Sequence, residues 1–331
     1  MIIRNAPTAF VSMAVIAASC SSVRAQTADP VPAIVEAMQT LAGKGAKHRP
    51  SGAKGQCYTG TFSPSADAVK LSRATIFEKP SPVLARFSVG SGNPKVADGN
   101  KAVNRGLSFK IDNGGRGQTE FVMVNAPINF VKTPQQMLGF LQARLPGADG
   151  KPDPEKIKAF TEANPETTKQ GKWLASQPVV GSWVGVTYWG IHAYTLTNAS
   201  GASQVIKFKM VPTAGAVALT DDEAKAKPAD FLVDELAGRL ASKAPTSFDM
   251  VAILGRAGDA TDDPTERWVD EDARPTVTLG TLAIAAVEKN SSCDDAIFDP
   301  TNLAKGIEGA KDDTLLRART PAYAISISGR L

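Results

Sequence analysis

Four short β-rich runs, at 58–62, 83–89, 106–111 and 119–124, follow one another at hairpin spacing, with Gly, Pro and Asn between them. Strands this short and this regularly interrupted pair with their neighbours, which points to an antiparallel barrel or sandwich. Three further runs, at 185–196, 205–211 and 276–286, extend the series. Helical spacing falls at 133–145 and 154–163, bounded by Pro and Gly, and again at 230–241 and 312–318. A short amphipathic stretch at 34–41 precedes the first strand. The class is therefore α+β, an antiparallel sheet with inserted and C-terminal helices. At 331 residues with 43% hydrophobic content, the chain can bury one large core, and nothing forces a split.

Residues 1–25 read separately. Arg4, an apolar stretch at 9–18 and the exit Val23-Arg24-Ala25 describe a cleaved secretory signal rather than a membrane span. The expected division is a signal peptide at 1–25 and one domain at 26–331, in a periplasmic or secreted protein without an integral membrane span. Lipoprotein processing at Cys20 is the rival; Ala17 stands where a larger aliphatic is usual, so soluble export leads. After cleavage Cys57 and Cys293 remain. An oxidising compartment leaves a disulfide open, while their separation weighs towards two buried or free thiols.

Several chemistries are excluded. A formal charge of +4 without a Lys/Arg run argues against a nucleic-acid partner. His48 and His192 are the only histidines, which confines any Ser-His-Asp or multi-histidine metal site to them. No Cys-x-x-Cys or Cys-x-x-Cys-His occurs, removing zinc ribbons, thiol redox pairs and thioether-linked haem. Gly90-Ser91-Gly92 lacks the spacing of a nucleophile elbow.

The last residues carry the most information: Phe298-Asp299-Pro300-Thr301-Asn302-Leu303, Gly306-Ile307-Glu308, Asp313, Arg319-Thr320-Pro321-Ala322-Tyr323 and Arg330-Leu331. In this order they resemble the haem-ligand segment of catalases, and more closely that of the short catalase-related peroxidases. Upstream, Arg49-Pro50-Ser51-Gly52-Ala53-Lys54-Gly55, Arg86-Phe87-Ser88, Asn104-Arg105-Gly106 and Asn125-Ala126-Pro127-Ile128-Asn129-Phe130 also resemble that family. The resemblance implies a barrel of about eight strands and haem b as cofactor. It also implies Tyr323 as the iron ligand, as phenolate, beside Arg319, with Arg49, Arg86 and Arg330 at the haem propionates. Residues four apart share a helix face, and a guanidinium beside a phenol favours the anion that binds ferric iron. Pro321 lies between the two and is expected to bend or interrupt a helix there.

The resemblance fails where peroxide would react. Catalases place a histidine and an asparagine there; this chain has Gly52 and Val124 at the matching positions. Ser88, which in the family supports the histidine, remains, but that role lapses. Met137 stands where the family has a phenylalanine against the haem, and its soft side chain can pack there. His48 is the nearby candidate for the lost base, although four residues of strand put it ~13 Å from Gly52 unless the chain bends at Pro50 and Gly52. Asn125 serves only if the strand shifts register by one residue. His192 reads as packing or hydrogen bonding within a strand.

Two functions follow. One is an exported haem peroxidase reducing hydrogen or organic peroxides with a small organic electron donor, with weak or no catalase activity. The other is a secreted haem-binding protein without turnover. The resemblance also implies a homodimer.

Overall fold

The computed structural model describes residues 1–2, 29–43 and 47–329. The expected signal peptide beyond Ile2, with Cys20, and Arg330 lie outside the described residues. Eight strands among them form the barrel: β1 (Gly55–Pro64), β2 (Ser81–Val89), β3 (Arg105–Asp112), β4 (Gln118–Val124), β5 (Tyr188–Thr197), β6 (Ser203–Pro212), β7 (Ser247–Leu254) and β8 (Thr276–Glu288). Each pairs antiparallel with the next, and β8 returns to β1, so the sheet closes. A short β9 (Ile307–Gly309) adds to β5.

Helices occupy the long connections. Helix α1 (Val31–Ala42) precedes the barrel; α2 (Pro134–Gln142), α3 (Pro154–Ala163) and α4 (Lys169–Ser176) lie between β4 and β5; α5 (Phe231–Ala241) lies between β6 and β7. Helices α6 (Thr314–Arg317) and α7 (Arg319–Ser328) follow β9. The expected α+β class with an eight-stranded antiparallel barrel is the observed one. Strand β7 and helix α4 were not foreseen. In β7 the alternation of inward Phe248, Met250 and Ala252 is masked by the unbroken apolar run 250–254.

Period-two alternation decides which face of each strand enters the barrel. Along β3, buried and half-buried residues alternate over its whole length, with Leu107, Phe109 and Ile111 inside. Aromatic rings fill the interior: Phe109 stacks on Phe121 at 4.9 Å, and Phe87 lies parallel to Trp183 at 5.7 Å. An eight-stranded barrel is just wide enough for its own side chains. With these rings filling it, the space for a ligand lies outside.

The cysteines are bridged, against the weight of their sequence separation: Cys57 and Cys293 form a disulfide, with Cα atoms 5.9 Å apart. The fold supplies the reason. Cys57 pairs with Glu288 at the end of β8, so the chain needs only five more residues to bring Cys293 back over β1. Among the described residues, no helix is long and apolar enough to cross a membrane.

Candidate functional site

The outward residues of β2, β3 and β4 form a small grid. Arg86 is opposite Ser108, and Ser108 opposite Val122; one pleat along, Ser88 is opposite Gly106, and Gly106 opposite Val124. All six line one cavity of about 320 Å³ on the outside of the barrel. Gly52, just before β1, completes this wall.

The facing wall is helical. Val31, Ile34 and Met38 come from one face of α1, and Met137 from α2. Helix α2 starts where Thr133 accepts a hydrogen bond from the Gln136 amide at 3.1 Å and Pro134 needs no amide partner. From the C terminus come Leu315, Ala318, Arg319, Ala322 and Tyr323, a single stripe at helical spacing. Pro321 does not interrupt that stripe, contrary to expectation. It lies in the first turn of α7, where amides have no intrahelical partner, and the break falls one turn earlier, at Ala318 between α6 and α7.

A chain of hydrogen bonds fixes this C-terminal wall. Arg319 donates to the Tyr323 hydroxyl twice, from Nε at 3.0 Å and Nη2 at 2.7 Å. Its Nη1 meets His192 Nε2 at 3.1 Å, and His192 Nδ1 meets Asp313 Oδ2 at 2.6 Å. A guanidinium only donates, so Nε2 accepts and His192 carries its proton on Nδ1, directed at Asp313. Asp313 in turn caps α6, its Oδ1 accepting from the Leu316 amide at 2.8 Å. Burial holds the His192 pKa below the ordinary value, with the Asp313 hydrogen bond and charge opposing it. Burial also works against the Arg319 cation, but the Tyr323, Tyr194 and Asp299 groups around it carry its pKa above the usual arginine value.

Sequence reasoning gave neither His192 nor Asp313 a role here. The β5–β6 ladder is irregular between Trp189 and Ala193, and that stretch holds His192; such irregularities re-aim side chains beside sites. No local pattern marks a contact made across 121 residues.

Two guanidinium groups border the cavity on the barrel side. Arg86, in the grid, donates from Nη1 to the Gly52 carbonyl at 2.9 Å and lies 3.6 Å from Asp294. It reaches there because Gly55 has no side chain: a Cβ at that position would stand 2.7 Å from Arg86 Cζ. Arg49 Nη2 donates to the Cys293 and Ala296 carbonyls, both at 2.6 Å. The disulfide thus steadies the segment that both arginines grip. Arg330, the third arginine expected here, lies outside the described residues.

Two of the residues considered for the reacting side lie elsewhere. His48 is not in the cavity lining; its Nδ1 bonds the neighbouring Arg49 carbonyl at 3.1 Å. The strand does not slip by one residue, so Asn125 faces away, and its side chain accepts from the Arg105 amide at 2.7 Å. Ser88, Met137, Gly52 and Val124 do line the cavity. Asn129 lines it as well and was not foreseen; its Nδ2 is bonded to the Val131 carbonyl at 2.8 Å.

A family model described as Catalase matches residues 32–331. A catalase-related peroxidase of Synechococcus elongatus is 34% identical over 301 residues, which cover 90% of this chain and 87% of that protein. Another, from Mycolicibacterium paratuberculosis, is 33% identical over 282 residues, covering 84% and 87%. A solved bacterial catalase aligns with a TM-score of 0.75 at 22% identity, covering 86% of this chain and 57% of its own. A fungal catalase gives a TM-score of 0.75 at 21% identity, with 86% and 59% covered. The chain spans less than two thirds of these solved catalases, and the likeness to them is one of fold.

Proposed function

Because this chain belongs to the catalase family, we propose that it is an exported haem peroxidase that reduces hydrogen or organic peroxides with a small organic electron donor and dismutates hydrogen peroxide weakly or not at all. The observation that carries this reading is the Tyr323 hydroxyl in the cavity wall, taking two hydrogen bonds from one guanidinium.

The residues present fit a haem. A phenol oxygen beside a fixed cation is a donor for ferric iron. Apolar side chains from both walls can cover a porphyrin, and Arg49 and Arg86 suit its carboxylates. Without a thioether motif the group is held non-covalently, which supports haem b. Bound there, haem would supply redox chemistry towards peroxide.

The protein's own share divides between the walls. Tyr323 would hold the iron as phenolate. Arg319 fixes that oxygen with two N–H donors, and His192 with Asp313 keeps Arg319 in place. On the barrel side, Gly52 and Val124 offer no group that moves a proton. A positioned acid or base is worth ~10²–10⁴ in rate, so O–O cleavage should be slower by that order than with a distal histidine. That deficit is why peroxide reduction with an added donor is favoured over dismutation.

The same deficit favours one other reading, a secreted haem-binding protein without turnover. Steady-state peroxide consumption by the purified holoprotein, with and without an organic donor, separates the two. Donor-dependent consumption supports the peroxidase, rapid oxygen release overturns the weak-catalase reading, and a Soret band without consumption leaves the carrier. Export rests on the N-terminal pattern, and N-terminal sequencing of the mature protein from a periplasmic fraction tests cleavage after Ala25. Light scattering tests the homodimer.

A further inference from the structure

The geometry points to Ser88 as the residue that hydrogen-bonds the ligand held over the iron, an assignment that rests on the haem-binding reading above. With the family's histidine absent, a supporting serine has nothing to support. The structure gives it other surroundings. Ser88 lies on the outward face of β2, and both its cross-strand partners, Gly55 on β1 and Gly106 on β3, are glycines. A third glycine, Gly52, closes the niche: a Cβ there would lie 3.3 Å from Ser88 Oγ, and one on Gly106 only 2.7 Å away.

Ser88 Oγ therefore stands against two residues without side chains, Gly52 and Gly106, in the cavity wall, with Arg86 across the Gly55 position. It makes no hydrogen bond to any of the described residues, although a serine hydroxyl can donate once and accept twice. Hydroxyls that face a cavity without a protein partner are satisfied by what fills it. Ser51, Asn104 and Ser108 also line the cavity without a side-chain hydrogen bond among the described residues, but Ser88 alone stands against the glycines Gly52 and Gly106, and the two wall groups able to donate from nitrogen beside it are engaged. Arg86 bonds the Gly52 carbonyl, and Asn129 spends its Nδ2 on Val131. A hydroxyl that donates to one oxygen and accepts from the next suits a peroxide.

Fluoride tests this without turnover, because an anion on ferric haem accepts a hydrogen bond from whatever lies beside it. Wild type, Ser88→Ala and Ser88→Thr are reconstituted with haem and titrated with fluoride, following the charge-transfer absorption. The iron–fluoride stretch is also compared in H₂O and D₂O. A hydrogen bond to a charged acceptor is worth about tenfold or more in affinity. Ser88→Ala should lose about tenfold and its isotope sensitivity while keeping the Soret band, and Ser88→Thr should recover both. Equal fluoride affinity and equal isotope sensitivity in Ser88→Ala overturn the assignment while leaving haem binding intact. A wild-type chain that takes up no haem overturns the parent reading and this assignment with it.

Discussion

The two walls of the cavity are built on opposite plans. On the helical side four polar side chains from three elements, Tyr323, Arg319, His192 and Asp313, form one continuous set of hydrogen bonds that ends in a helix cap. On the barrel side Ser88 lies against Gly52 and Gly106 and opposite Gly55, whose side-chain position Arg86 takes, with Val124 beside them. The contrast separates two requirements that a haem enzyme usually meets together. Holding iron needs an anion and a cation kept in register. Splitting peroxide needs a group that exchanges protons. On the proposed reading the helical wall supplies the first, and Gly52 and Val124 on the barrel side supply nothing for the second.

The largest effect should come from the wired wall. Tyr323→Phe removes the only phenol oxygen in the cavity lining, and haem uptake, read from the Soret and charge-transfer bands, should fall below detection. Unchanged uptake would mean that the helical wall does not hold the iron, and the contrast would vanish. Next is Arg319→Lys. Lysine is a point charge and cannot meet Tyr323 and His192 from one planar fork. Groups supporting a metal ligand are typically worth 10–100-fold, so haem affinity should drop by about that factor while the fold survives.

The barrel wall gives the third test. Gly52→His puts an imidazole into that wall, but Gly52 has φ +65°, a conformation that costs an L residue about 1–2 kcal/mol. Its neighbours hold that backbone: Ala53 bonds the Ser91 carbonyl at 2.9 Å, and Lys54 pairs with buried Asp98 at 2.7 Å. The variant should lose about that much stability in denaturant unfolding. It should gain less than about tenfold in peroxide turnover, far short of what a positioned base provides. A gain of several hundredfold would show that the wall wants only a side chain and not a different backbone.

These walls were unequally legible in the sequence. Arg319 and Tyr323 stand four apart, so their contact follows from helix geometry, and Pro321 misled only because its place in the first turn was not visible. The β2–β4 grid is also local in origin, since alternate residues face one way and hairpin neighbours set the register. The opposing placement of Val124 and Asn125 follows from that same alternation. His192–Asp313 and Cys57–Cys293 are contacts of closure: they exist because β5 meets the C-terminal helices and because β8 returns to β1. No periodicity encodes them. The glycine niche around Ser88 is similar, because Gly52, Gly55 and Gly106 read singly as turn or strand breakers and gain meaning only when strand pairing sets them around one hydroxyl.

The smallest effect concerns pH, and it distinguishes the walls because His192, on β5, is bonded to Arg319 and Asp313 of the helical one. Burial depresses the His192 pKa in the folded chain, with Asp313 opposing the shift and Arg319 and Lys207 adding to it; unfolded, histidine titrates near ~6.5. Below that pH the unfolded chain takes up a proton that the folded chain refuses, so stability falls as pH drops, by at most about 1.4 kcal/mol per unit. The Glu166 carboxyl, bonded by Gln136 and Lys132, is held down to about 2, so its contribution is lost only at lower pH, below the ordinary carboxylate range. Urea unfolding of the apoprotein should therefore weaken in two steps on acidification. In His192→Gln the step between pH 7 and 5 should flatten while the lower one persists. If the upper step survived unchanged, the imidazole between Arg319 and Asp313 would not be what ties that wall's stability to pH.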